Sequence, residues 1–320
     1  MLKNLKKKIL ISTASAGLLY LGFIIYGDFE QVTRAFKEFS WILFPLLLVL
    51  SLLNYFTRFL KWDYYLSILK IPVKKVDSLS IFTSGLIMSV TPGKMGEVLK
   101  SYLVKEIAGT AISKTAPIIF VERITDFISL IIIGMIGAYI YGFGGEITIA
   151  VGIFFLFLLV ILSNKSLALP LIGLIEKIKF LQKHLAKIHN AYESSYQLLQ
   201  PLPLLYMTLL SLVGWFFECL GYHLILSNFE VSNSLLWASF SYAFATIIGS
   251  ITMLPGGLGV TEGSLTFTAI RSGASKEIAV ASTFIVRVVT LWFAVLVGII
   301  SVTFYQRRFG RINVETISNN

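Results

Sequence analysis

Hydrophobic residues along the chain are gathered into long runs that carry almost no charge. Most of these runs approach the length of about 20 residues that an α-helix needs to cross the hydrocarbon core of a bilayer. Backbone polar groups cannot remain unpaired in lipid, and the runs do not alternate as barrel strands do, so membrane helices are predicted. Full spans are predicted at 9–27, 41–60, 116–140, 147–163, 202–227 and 278–303.

Two further apolar stretches, 79–104 and 234–270, are interrupted by proline and glycine at Thr91-Pro92-Gly93 and Pro255-Gly256-Gly257. Proline removes a backbone donor and glycine adds freedom, so each break is predicted to end one helix and begin another. The flanking pieces are mostly too short to cross a bilayer, although 235–254 alone is long enough. Each stretch therefore predicts a re-entrant helical hairpin.

The positions of lysine and arginine distinguish between the possible membrane topologies, because these residues collect on the cytoplasmic side. With the N-terminus inside and both hairpins returning to their own side, most of the 27 fall inside, Lys61 and the arginine-rich tail among them. The exceptions are Arg34, Lys37, Arg271 and Lys276 outside, and Arg123 and Arg287 within spans. A full crossing at 234–254 would instead place the tail outside. We therefore predict a multi-pass protein of the cytoplasmic membrane with both termini cytoplasmic.

The composition predicts a single membrane domain over 1–320, because 56% of residues are hydrophobic and only 14% are charged. The first run, 9–27, follows a lysine-rich start without a small-residue cleavage pattern, so we interpret it as a retained span and not a signal peptide. The net charge of +10 follows the same inside bias. No nucleic-acid partner is predicted, because no basic cluster is interleaved with stacking aromatics.

The segment 164–200 is the only long loop between predicted spans. Its apolar residues recur at helical spacing and its lysines occupy other faces. This pattern is typical of a basic amphipathic helix on the anionic cytoplasmic leaflet, and a plain solvated linker helix is the alternative.

The two breaks resemble each other and predict an internal repeat. Each has Pro-Gly, one residue, an apolar residue and Gly, with a carboxylate soon after, Glu97 or Glu262. An intramembrane arginine, Arg123 or Arg287, follows at nearly equal separation. The repeats 9–140 and 147–303 would each hold three spans and one hairpin. Because three is odd, the second repeat is predicted to be inverted relative to the first. The predicted fold is an all-α polytopic bundle of inverted repeats, an architecture common among transporters.

The chemistry predicted at the breaks is anion binding. The second helix of each hairpin should start near Lys94 or Gly257, and helix N-termini attract anions, phosphate especially. Arginine within a span is costly and usually functional, and its planar fork suits phosphate. The predicted substrate-binding residues are Arg123, Arg287, Pro92, Gly93, Lys94, Gly96, Pro255, Gly256, Gly257 and Gly259.

Acidic residues leave alternatives open. Arg123 is either a ligand for substrate or the structural partner of Glu97, Glu122 or Asp126, while Arg287 has Glu262, Glu218 or a ligand as its candidate partner. Glu97 and Glu262 would orient the arginines or carry protons. Glu218, isolated in an apolar run, would couple protons or pair with an arginine. No phosphate loop, metal cluster or catalytic motif is apparent, so no cofactor is expected.

Three motifs in order resemble a known family: Thr91-Pro92-Gly93-Lys94-Met95-Gly96-Glu97, Val121-Glu122-Arg123-Ile124-Thr125-Asp126 and Leu254-Pro255-Gly256-Gly257-Leu258-Gly259-Val260-Thr261-Glu262. The family is the transmembrane region of lysylphosphatidylglycerol synthases, also called the flippase-like domain or UPF0104, and the likeness covers roughly 8–305. In bifunctional members this region is implicated in moving aminoacylated lipid between leaflets, while a separate soluble domain makes the lipid. Other members act beside glycosyltransferases that use polyprenyl-phosphate lipids.

The resemblance implies a lipid flippase-like transporter for a lipid with an anionic phosphate head group. A separate lipid-modifying enzyme is a possible partner. The alternatives are the membrane component of a lipid aminoacyl- or glycosyltransferase, a small-solute secondary transporter, and a non-transporting scaffold for envelope synthesis.

Overall fold

The computed structural model describes residues 28–91, 97–176 and 184–310, together with positions 22, 25, 26 and 182. Throughout these residues the regular structure is helical. The predicted first span, 9–27, falls almost wholly outside them, as do Pro92, Gly93, Lys94 and Gly96. The helices are α1 Phe29–Glu38, α2 Phe44–Ile68, α3 Lys75–Gly85, α4 Leu99–Ala108, α5 Ile112–Tyr141, α6 Gly145–Ser163, α7 Lys165–Glu176, α8 Leu185–Leu198, α9 Pro201–Asn228, α10 Leu235–Ile251, α11 Val260–Arg271, α12 Lys276–Arg287 and α13 Phe293–Phe309.

Short irregular turns extend several of these helices. 3-10 turns lie at Trp41–Leu43, Leu86–Val90 and Pro255–Gly257, and a π-helical turn, Val288–Trp292, joins α12 to α13. By length and composition, four helical stretches of the described residues can cross a membrane: Trp41–Ile68, Gly145–Ser163, Pro201–Asn228 and Lys276–Phe309. They coincide with four predicted spans. A fifth predicted span, 116–140, lies within the 30-residue α5.

The outer surface of the bundle is apolar, as expected where side chains face lipid. Only 11% of the most apolar part of α6 is buried inside the bundle. Phe154 and Phe157 are both more than half exposed. An exposed face of this size would be unfavourable in water, and it agrees with a membrane protein.

Helices α2 and α9 pack against each other. The side-chain amide of Asn54 donates a hydrogen bond of 2.9 Å to the carbonyl of Gly214. A Cβ at Gly214 would lie 2.6 Å from the hydroxyl oxygen of Thr57. The helices therefore approach closely through a small residue and a buried polar contact, as membrane helices commonly do.

The same turn follows α2 and α9. Lys70 and Glu230 both have positive φ, 52° and 56°. The N–H of Ile71 donates to the carbonyl of Leu66 at 3.0 Å, and the N–H of Val231 donates to that of Leu226 at 3.1 Å. These bonds have the 6→1 pattern of a helix C-cap with a left-handed residue. The internal repeat itself stays a prediction.

The chain breaks near both predicted positions. At the first break, the turn Leu86–Val90 is followed by Thr91, the last residue described before 97. At the second break, the turn Pro255–Gly257 separates α10 from α11. Val90 and Leu258 lie in one buried cluster with Leu291 and Val295. The described end of the first break therefore packs against the second break inside the bundle.

The helix after the second break begins later than the sequence predicted. Helix α11 starts at Val260 and not near Gly257, because Gly256, Gly257 and Gly259 all have positive φ, which a right-handed helix does not accommodate. Helix α4 is described from Leu99, and the predicted start near Lys94 lies outside the described residues. Helix α10 has 17 residues, or about 25 Å at the usual helical rise, and is shorter than the predicted 235–254 piece.

The segment 164–200 contains α7 and α8, and α8 packs against α5. Tyr192 and Leu198 are buried there. Lys165 and Glu193 form an exposed pair at 3.1 Å, and the hydrogen bond with Glu193 raises the pKa of the Lys165 ammonium. The α8 half is thus docked on the bundle and is not a free solvated linker. Contact of the segment with a leaflet stays a prediction.

Candidate functional site

Seven charged side chains meet inside the first half of the bundle. Helices α2, α4 and α5 supply six of them, and Glu97, just before α4, supplies the seventh. We call this set the first charge cluster: Arg58, Lys61, Glu97, Lys100, Glu122, Arg123 and Asp126.

Lys61 and Asp126 form the most deeply buried pair, with 2.7 Å between Nζ and Oδ1. The Lys61 side chain is 2% exposed. Lys61 also donates to the hydroxyl of Ser211, which in turn donates to Asp126 at 3.0 Å. Lys61 is not a charge at the end of a span, because α2 continues to Ile68 and the ammonium points to a buried carboxylate. The side of the membrane on which it lies stays a prediction.

Lys100 forms the second buried pair. Its ammonium lies 2.7 Å from Glu122 and 3.4 Å from Glu97, and 4.7 Å above the centre of the Trp62 ring. A Cβ at Gly85 would lie only 2.6 Å from Cγ of Lys100, so the glycine makes room for the lysine stem. Glu122 is therefore engaged by Lys100, and the ion pairs of Arg123 are formed with two other carboxylates.

Arg58 and Arg123 are held more loosely and are the least buried of the cluster's four cationic side chains. Their side chains are 18% and 19% exposed, against 2% for both lysines. Each approaches Glu97, at 3.5 Å and 3.7 Å respectively, and Arg123 lies 3.3 Å from Asp126. Nε and Nη2 of Arg123 are buried and make no hydrogen bond within the described residues. Two guanidinium groups thus share carboxylates that the lysines hold more closely.

A second, smaller cluster lies at the second break. Nε of Arg287 donates to Glu262 at 2.7 Å, and Nη2 donates to the carbonyl of Gly256 at 2.5 Å. The other oxygen of Glu262 accepts the N–H of Gly259 at 2.8 Å and so caps α11. Glu262 is therefore the partner of Arg287, and its own carboxylate occupies the helix start that was predicted to attract an external anion.

The π-helical turn after Arg287 is tied to α2. Its carbonyls at Val289 and Thr290 accept hydrogen bonds from Ser51 at 2.7 Å and Tyr55 at 2.6 Å. Such turns are rare and are often found at functional sites.

Glu218 contacts the hydroxyl of Tyr242, which donates to it at 2.5 Å. Of the two carboxylates predicted beside a ligand as candidate partners of Arg287, Glu262 accepts a hydrogen bond from it. Proton coupling through Glu218 stays a prediction.

The two clusters repeat one arrangement. In each, a carboxylate that follows a chain break lies against an arginine of the next long helix: Glu97 with Arg123, and Glu262 with Arg287. The geometry suits the predicted orienting role of both glutamates. It also places the two arginines in separate clusters, so a single cavity flanked by both stays a prediction.

A family model described as the lysylphosphatidylglycerol synthase TM region matches residues 8–298. The chain belongs to this family. A UPF0104 membrane protein of Methanocaldococcus jannaschii is 28% identical over 229 residues, which are 69% of this chain and 94% of that relative. Two UPF0104 membrane proteins of Methanothermobacter thermautotrophicus are 22% identical over 304 and 305 residues, 87% and 88% of this chain and 89% of each relative. The resemblance based on the three motifs is confirmed.

Three residues of the first charge cluster were not predicted as site residues from the sequence: Arg58, Lys61 and Lys100. A signal was present in α2, because Asn54, Arg58 and Lys61 recur at helical spacing on one face. No group of three or more His, Cys, Asp and Glu suited to a metal ion occurs among the described residues.

Proposed function

We propose that this protein moves a lipid with an anionic phosphate head group between membrane leaflets, and that the head group binds at Arg58 and Arg123. One observation carries the proposal: the first charge cluster has four cationic groups and three carboxylates among the described residues, and two buried guanidinium nitrogens of Arg123 make no hydrogen bond there. The family assignment to the membrane region of lysylphosphatidylglycerol synthases supports a lipid as substrate.

The arrangement suits phosphate for electrostatic reasons. A buried charge is unfavourable unless it is paired, and Lys61 and Lys100 each have a carboxylate at 2.7 Å. Arg58 and Arg123 have only longer contacts with carboxylates, so an incoming phosphate gains two forked donors without breaking the short lysine pairs. Glu97 contacts both guanidinium groups and would offset their mutual repulsion until the lipid arrives.

The second cluster has a different role in this proposal. Arg287 binds the carbonyl of Gly256 and the carboxylate that caps α11, so it holds the second break in its bent shape. Gly256 packs near Leu291 and the carbonyl of Ser89, which precedes the first break. A movement of the backbone at one break would therefore displace the backbone at the other. Inverted repeats with re-entrant hairpins would give such coupled breaks alternating access to the two leaflets.

The test is the conservative change Arg123→Lys, together with Arg58→Lys. Lysine keeps the charge and loses the planar fork, so the rate of translocation should fall about tenfold or more, the value of one or two charge-assisted hydrogen bonds. The rate is measured with leaflet-resolved fluorescent lipids in proteoliposomes, comparing phosphatidylglycerol, lysylphosphatidylglycerol and a polyprenyl phosphate.

Arg271→Lys is the matched control, because Arg271 lies exposed at the end of α11 against the ring of Phe143. It should translocate lipid at the wild-type rate. If Arg58→Lys and Arg123→Lys both fold and also keep the wild-type rate, forked phosphate binding at this cluster is refuted.

The proposed topology places both termini and the 164–200 segment in the cytoplasm, with residues near Asn228 outside. Cys219 is buried and is the single cysteine of the chain, so a Cys219→Ala background leaves only introduced thiols. A cysteine in the C-terminal tail should react with a membrane-impermeant reagent only after the cells are opened. Labelling of that cysteine in intact cells would remove the inverted-repeat arrangement.

A further inference from the structure

Helices α3 and α13 pack side by side in opposite directions. Asp77 near the start of α3 lies against Arg308 at the end of α13, whereas Ile87, just after α3, lies against Gly298. Between the two helices a groove of about 660 Å³ opens on the side of the bundle. This volume is in the range of known small-molecule sites.

The groove is lined by one stripe of residues from each helix. On α3 the lining residues recur every three or four positions, and on α13 they do the same, so each set lies on one helical face. The lining residues are Val76, Leu79, Ser80, Thr83, Ser301, Phe304, Arg307 and Arg308. None of them belongs to either charge cluster.

The chemistry of the groove changes along its length. Phe304 and Val76 are 64% and 63% exposed, so a large apolar surface faces outward from the bundle. Arg307 and Arg308 lie at the C-terminal end of α13, the last turn of the final apolar stretch. Arg308 is paired with Asp77 at 2.9 Å, while Arg307 is exposed. The end of the groove at Arg307 and Arg308 thus has two guanidinium groups for one carboxylate, that of Asp77.

We infer that this groove binds an anionic glycerophospholipid of the adjacent leaflet, as a site separate from the proposed transport site. Arg307 binds the phosphate, with Arg308 beside it, and one acyl chain lies along Phe304 and Leu79. Charge complementarity selects this occupant: arginine at the end of a membrane helix lies at head-group depth, and its fork matches phosphate. The exposed apolar side chains below it match an acyl chain.

The experiment uses full-length protein in nanodiscs that contain phosphatidylglycerol with a photoreactive diazirine in one acyl chain. Cross-linked peptides are mapped by mass spectrometry. Labelling should concentrate on 75–85 and 293–309. The variant Arg307→Gln should lower it about tenfold, the effect of losing a charge-assisted contact. Because Arg307 is exposed, this change should not disturb folding.

A second variant, Thr83→Trp, tests the groove by filling it and leaves both arginines in place. It should lower labelling of 293–309 to a similar extent. The matched control is Arg271→Gln, an exposed arginine at the end of another helix, which should keep full labelling. Arg123→Lys should also keep it, so failure of the proposed function and failure of this site are distinguishable.

Several results would overturn the inference. Equal labelling by a diazirine phosphatidylcholine would make the groove an unselective lipid contact. Loss of labelling in the presence of millimolar inorganic phosphate would show a phosphate site instead of a lipid site. A rise in labelling after removal of 311–320 would show that the chain's own tail fills the groove. Unchanged labelling in both Arg307→Gln and Thr83→Trp would exclude it altogether.

Discussion

Replacing Lys61 by methionine is expected to destabilise the protein by about 3–5 kcal/mol, the usual effect of breaking a buried ion pair. The Lys61 side chain is 2% exposed and its ammonium lies 2.7 Å from Asp126. Without it, the buried carboxylate keeps, among the described residues, the hydrogen bond from Ser211 and the 3.3 Å contact to Arg123. Thermal unfolding of the purified protein in detergent, followed by circular dichroism, measures the loss.

The double variant Lys61→Met with Asp126→Asn should recover part of this stability, because the buried carboxylate is neutralised, Ser211 keeps an acceptor and Arg123 keeps its contact with Glu97. Lys165→Met is the matched control, since it breaks an ion pair with 45% and 49% exposed side chains, and it should leave the unfolding midpoint unchanged. A Lys61→Met protein as stable as Lys165→Met would show that the buried pair contributes nothing to the fold.

Replacing Gly298 by alanine is expected to destabilise the protein by about 3 kcal/mol or more, at the upper end for an overpacked interior. A Cβ at this position would lie 2.2 Å from the backbone N of Ile87 and 2.7 Å from its Cα. Backbone cannot rotate away as a side chain can, so α13 must separate from Leu86–Val90. Thermal unfolding measures the effect.

Gly263 is the matched control, because it also lies within a helix, and a Cβ there meets nothing within 4 Å. Gly263→Ala should be neutral, or slightly stabilising through the better helix propensity of alanine. Lipid translocation should fall in Gly298→Ala as well, since Leu86–Val90 carries the described end of the first break against the second. Equal unfolding midpoints for the two variants would show that the helix contact is loose.

Membrane helices were predictable because their cause is local. A span needs about 20 apolar residues whatever its neighbours are, and the prediction of 202–227 differs from α9 by one residue at each end. The break at Pro255 was also predictable, because proline and glycine act on their own backbone. The starting point of α11 was less so, since it depends on the positive φ that Gly259 adopts against Glu262.

The family, the apolar helices and the two arginines within them were predictable from the amino-acid sequence. The pairing of the charges became visible only once the helices were packed together. Lys61 looked like a charge at the end of a span, and it became a buried residue because α5 and α9 bring Asp126 and Ser211 to it. The physical reason is that the free energy of a buried charge depends on partners from other helices, and spacing along one helix does not reveal them.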